Sequence, residues 1–223
     1  LRRLVPGAGH MVHMPAHIDC RVGRWADAAA ANVRAIEADR RYRARSPRQG
    51  FYSVYMAHNH HFLSWASQME GRSGEALRAA REMLAQLPPE FVRESAFFAD
   101  GYMTIEMETL MRFGRWDELL ALPESPDYLP ITRAFRRFAR GTACAALGRI
   151  EDAEREQSAF REALAPVSEG MIVGNNPARL VLSIATHQLA GEIANRKGDV
   201  ETAVHELTEG VRIEDSLRYN ESP

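Results

Sequence analysis

The chain has almost no lysine: Lys197 is the only one among its 28 basic residues. Its positive charge is therefore arginine, whose planar fork binds carboxylates and phosphates bidentately, and the plainest reading of that bias is the codon usage of a GC-rich genome. Against 30 acidic residues the net charge is −2, so the basic excess of a nucleic-acid binder is missing. Cysteine is scarce as well. Cys20 and Cys144 are far apart in sequence and make no disulfide framework. No apolar run approaches the ~20 residues of a membrane span. No basic-then-apolar leader is read at Leu1, so the cytoplasm is the default expectation. Sustained two-residue alternation with β-branched residues is also lacking, which excludes a strand-built fold. Gly7-Ala-Gly9 is too short for a dinucleotide loop, and no nucleophile elbow, phosphate loop or His-Glu-x-x-His is present.

What the 223 residues do contain is a recurrence. Gly-Arg-Trp at 23–25, Gly-Arg at 71–72, Gly-Arg-Trp at 114–116, Gly-Arg at 148–149 and Lys-Gly-Asp at 197–199 each follow an apolar-periodic segment. An amphipathic, alanine-rich segment comes next, as in Asp27 to Asp39, Gly74 to Leu87 and Asp152 to Val167. Apolar spacing of three and four predicts helices, and the glycine predicts the stop between two antiparallel ones. The chain is thus expected to be all-α. The turn glycines are 48, 43, 34 and 50 residues apart, and 34 residues is the tetratricopeptide period. The longer intervals hold the turn-rich stretches from Arg45 to Gly50, at Pro88-Pro89, from Pro123 to Pro130 and from Gly170 to Pro177.

With its Gly-Arg-Trp turns and the alanines that follow them (Ala28-Ala29, Ala76 and Ala153), the sequence resembles the tetratricopeptide repeat family over nearly its whole length. Two further segments, His10-Met-Val-His-Met-Pro-Ala-His17 and His58-Asn-His-His-Phe62, look like bacterial members of that kind. The resemblance implies an α-α superhelix, a solenoid of about five helical hairpins whose first helices line a concave groove. A single array over 1–223 is expected, with repeats near 8–39, 55–87, 93–122, 131–167 and 178–217. Leu1 to Val5 reads as the tail of a preceding helix and Arg218 to Pro223 lacks a capping helix, so a longer parent chain is expected.

The family's groove positions lie 13, 10, 6, 3 and 2 residues before each turn glycine. Counting back from Gly23 and Gly71 places five of the eight histidines there: His10, His13, His17, His58 and His61. Helical spacing supports this, since residues three and four apart share a face. First helices of neighbouring hairpins lie roughly 8–10 Å apart, so imidazoles from both converge, with His13, His17, His58 and His61 as core metal ligands and His10 beside them. Neutral imidazole suits Zn, Cu, Fe or Ni rather than Ca or Mg. Cys20 would add a soft ligand, and Glu108, the equivalent residue of the third repeat, a carboxylate. Three histidines with an open position would also permit activation of a bound water, though whether the chain is an enzyme stays undecided. Pro15 falls inside the first groove helix, where a continuous but bent helix is expected.

The alternative is a scaffold that binds a partner peptide in the same groove without metal. Trp65, Phe138 and Arg112 would then carry the contacts, with Phe135 beside them. The carboxylate-clamp residues of chaperone-tail receptors are absent: histidines, Trp65, Gly101 and Thr104 occupy their places. A Cys20–His17 nucleophile would need an oxyanion site that no motif supplies. His60, His187 and His205 lie off the groove register and read as packing or surface residues.

Overall fold

The structure, a computed structural model, describes residues 4–218. They are mostly helical: α1 Gly9–His13, α2 Pro15–Arg21, α3 Trp25–Arg45, α4 Tyr52–Met69, α5 Ser73–Gln86, α6 Pro89–Glu94, α7 Ala96–Ala99, a 3-10 turn at Asp100–Thr104, α8 Ile105–Arg112, α9 Trp116–Ala121, α10 Pro130–Ala146, α11 Ile150–Ala163, α12 Ala178–Arg196 and α13 Val200–Glu214. A two-residue antiparallel ribbon, β1 Ile172–Val173 with β2 Asn176–Pro177, closes the turn-rich stretch before α12. The protein is all-α. The helix tail expected at Leu1–Val5 falls partly outside the described residues, and Leu4 to Gly7 form turns rather than helix. The expected end without a cap, at Arg218 to Pro223, lies outside them beyond Arg218.

The five turn glycines explain the architecture. Gly23, Gly71, Gly114, Gly148 and Gly198 all have φ between 62° and 80°, the left-handed region that costs a residue with a Cβ. Each sits in the same bonding pattern. The N–H after the glycine reaches the carbonyl five residues back (Arg24 to Asp19, Arg72 to Ser67, Arg115 to Leu110, Arg149 to Cys144, Asp199 to Ala194). This Schellman closure satisfies the last carbonyls of one helix while reversing the chain. The arginine that follows the first four glycines pairs with an acid three residues on: Arg24–Asp27, Arg72–Glu75, Arg115–Glu118 and Arg149–Asp152. Such exposed pairs contribute about 0–1 kcal/mol each. Small residues let the paired helices close up: Ala28, Ala76, Ala153 and Ala203, each five past its glycine, are all buried.

Two compact units result, residues 4–89 and 90–218. The first holds α1 to α5 around an alanine-rich core with Ile36, Phe62 and Leu63. The second centres on Ile131, Phe138, Phe160, Val167, Leu182 and Leu189. Its buried long-range polar tie is Asp100, whose carboxylate accepts the N–H groups of Ile131 (2.6 Å) and Thr132 (2.9 Å) and so caps the N-terminus of α10.

Candidate metal centre

The helices α1, α2 and α4 carry the histidines, and α3 packs against all three. Its close approach to α1 depends on Gly9. A Cβ there would lie 2.1–2.6 Å from the Asp39 carboxylate, so no larger residue fits without displacing that carboxylate from its hydrogen bonds. Asp39 is itself buried and accepts hydrogen bonds from Asn59 Nδ2 (2.7 Å) and, at 3.3 Å, from the Tyr52 hydroxyl; Tyr52 accepts the His10 N–H. One carboxylate thus ties α1, α3 and α4 together. Burial pushes its pKa up, and the Asn59 and Tyr52 bonds partly offset that.

Pro15 opens α2 one residue after α1 ends. Met14 keeps helical dihedrals (φ −45°, ψ −39°) between α1 and α2, while Pro15 has no N–H to give to the Met11 carbonyl. His13 and His17 therefore stay on one face across the proline. Their Nε2 atoms are 2.9 Å apart and their rings meet edge to face at 4.7 Å. His58 of α4 completes the group, its ring centroid 4.6 Å from that of His13 and 5.7 Å from that of His17. One nitrogen from each of the three lies within 4.8 Å of the others. Phe62, one turn after His58, forms an apolar floor, with its ring 4.6–5.6 Å from all three imidazoles.

The protonation state follows from the surroundings. Burial holds His13 down to about 4 and His58 to about 2, and lowers His17 as well; the neighbouring imidazoles add to the effect at His13 and His58. At neutral pH all three are neutral, the form that donates to a metal. The tautomer of His13 is also set. Asn32, fully buried on α3, gives its Nδ2–H to the Ala28 carbonyl at 2.9 Å, so its Oδ1 faces His13 Nδ1 at 2.8 Å. Nδ1 therefore carries the hydrogen and Nε2 keeps its lone pair, the arrangement that outer-sphere acceptors impose on metal-binding histidines. His17 Nε2 then donates to it. Binding an ion would move that proton to the other ring nitrogen and open the pair, since nitrogens on one tetrahedral zinc lie roughly 3.3 Å apart for ~2.05 Å bonds.

The remaining expected residues have other settings. His61 and His10 stand outside the three-histidine group: His61 is half-buried beside His58, and the His10 ring lies 4.4 Å from that of Tyr55, tilted by 50°. Cys20 is a correction. It belongs to the alanine core of the first unit and stands outside the three-histidine group, and burial together with the Asp19 charge pushes its thiol up to about 12, far from an activated nucleophile. Trp65 packs edge-on against Trp25 and Phe62. Glu108, Arg112 and Phe138 belong to the second unit. Glu108 accepts the Thr104 hydroxyl and is pushed up by burial, and Arg112 is exposed at the end of α8. Phe138 is a second correction: only 3% exposed, it packs with Phe135 and Phe160 in the core, where no groove ligand reaches it.

The register count did not single out Asn32, Asp39, Asn59 or Phe62. The visible signals were a lone amide in an alanine run, an amide between histidines, and an aromatic one turn past His58. His60 is buried on another face, where its ring bonds Gln86 at 2.6 Å and faces Glu82 at 3.5 Å. No protein-family model and no curated protein matches this chain.

Proposed function

We propose that this chain is a tetratricopeptide-like hairpin protein whose first unit binds one transition-metal ion on His13, His17 and His58. The observation that carries the reading is the convergence of three neutral imidazoles, one from each of α1, α2 and α4, to within 4.8 Å, with the His13 tautomer set by Asn32. An all-nitrogen set of this kind favours Zn, Cu, Fe or Ni. His61 and His10 flank the site and would adjust affinity rather than create it. Three protein ligands leave room for a small molecule or water at the ion, which supplies Lewis acidity there. The hairpin recurrence, with five left-handed glycines and a buried alanine after four of them, supports the superhelical arrangement.

The test is elemental analysis of untagged protein after equilibration with each of the four ions. One equivalent bound by the wild type and none by a His13→Ala/His17→Ala double variant is the expected result. Uptake that survives the double variant would refute the assignment. Metal-free capture of a peptide would depend on Trp65 and Arg112, since Phe138 is buried, and no observation favours it over the metal.

A further inference from the structure

Helix α13 carries an apolar stripe that is largely open among the described residues: Val200, Val204 and Val211 are 64, 60 and 54% exposed, and Leu207, 38% exposed, rests one side against Gly191 of α12. The adjoining face, with Ala203 and Gly210, is buried toward α12. At the same offsets from their own turn glycine, α3 has Trp25, Ala29, Asn32 and Ile36, of which the last three are buried and Trp25 meets Trp65 of α4. In the first hairpin this register is therefore a helix-packing face. On α13 it is the most apolar version of that face and it is open.

The spacing of the stripe is four, three and four residues, the a/d rhythm of a seam between two helices. The sequence around it is complementary to itself in one orientation. Laid antiparallel so that Val204 faces Leu207 of a second helix, Val200 faces Val211, and the exposed Glu201 of one helix comes to the level of the exposed Arg212 of the other, on the same side of the seam. Parallel pairing would instead leave Glu201 of one helix and Arg212 of the other eleven residues, about 16 Å, apart along the axis, with no such complementarity.

We propose that two copies of this chain associate through α13, antiparallel about a two-fold axis between His205 and Glu206. The seam is closed and self-complementary, so it ends at a dimer. Four apolar side chains per copy make a small interface, below the ~1,200 Å² of standard ones, so dissociation on the order of 10–100 µM is expected.

Sedimentation equilibrium from about 5 to about 200 µM resolves an association of that strength. The wild type is expected to shift from monomer to dimer across that range. Val204→Glu and Val211→Glu, at positions more than half exposed and so tolerant of the change, each weaken the dimer at least tenfold with an unchanged circular-dichroism spectrum. Glu201→Arg also weakens it, and adding Arg212→Glu restores it, as only the antiparallel arrangement requires. A wild type that stays monomeric at the top concentration overturns the proposal and leaves the stripe to another helix. A dimer indifferent to both valine substitutions overturns it too, by placing the interface elsewhere.

Discussion

The two units are built from the same hairpin, yet their interiors differ in kind. The second encloses Phe138, Phe160, Leu182 and Leu189, and its most buried carboxylate, Asp100, caps a helix. The first encloses His13, His17, His60, Asn32, Asn59 and Asp39 among alanines. Burying a polar group is unfavourable unless its hydrogen bonds are made, and a group of imidazoles is a costly way to fill a core. On the proposed reading, the second unit's interior serves stability, whereas the first unit's gives up stability to bring three neutral imidazoles together.

Acid should separate the units most strongly. His13 and His60 titrate near 4 in the folded unit and near 6.5 once unfolded, so the unfolded chain takes up protons that the native one refuses. Their contribution is complete above about pH 7 and declines as the pH falls toward 4; from pH 7.5 to 5 it amounts to roughly 2 kcal/mol for each. In the second unit burial raises Asp100 and Glu108, which acid does not penalise. Urea unfolding of a Trp116→Phe variant, whose remaining Trp25 and Trp65 report on the first unit, should show a midpoint that drops steeply between those pH values. Equal pH dependence in both units would erase the contrast.

Metal should act in the opposite direction on the same unit. At a hundredfold excess over its dissociation constant, an ion bound only by the native state adds about 2.7 kcal/mol, read as a higher urea midpoint from Trp25 and Trp65. A comparable change in the second unit, followed through Trp116 in a Trp25→Phe/Trp65→Phe variant, would contradict a site confined to the first. The reciprocal experiment removes the second unit's polar anchor. Asp100→Ala leaves two buried N–H groups of α10 without their acceptor, at a cost of about 2 kcal/mol, with metal uptake unchanged. The smallest effect is expected at Asn32. Asn32→Leu releases the His13 tautomer and should lower metal affinity about tenfold, as losses of outer-sphere partners do, with a matching change in the ¹⁵N chemical shifts of His13 even before metal is added.

Much of this fold was legible in the sequence because its determinants are local. The glycines at 23, 71, 114, 148 and 198 and the helices on either side of them follow from turn geometry and helix periodicity alone, and Ala28, Ala76 and Ala153 stand out beside three of them. His13, His17 and His58 were singled out by the groove register that the tetratricopeptide resemblance implies, and three- and four-residue helical spacing supports their grouping. What escaped depends on partners distant in sequence. Asn32 matters because His13 lies 19 residues earlier, Asp39 because Asn59 lies 20 residues later, and Asp100 because α10 begins 30 residues on. Phe138 went wrong for the same reason: the register that placed it in a groove could not show Phe160 packed against it. Cys20, one turn from His17, shares the helix but faces the alanine core.

The most direct measurement is calorimetric titration of Zn²⁺ into the metal-free protein at pH 7.5, beside its His58→Ala variant. His58 is the proposed ligand on the second hairpin, so its loss leaves the α1–α2 pair intact and tests convergence itself. One equivalent bound by the wild type, weakened at least a hundredfold in the variant, is the predicted result. Equal binding by both, or none by either, would contradict the three-histidine site.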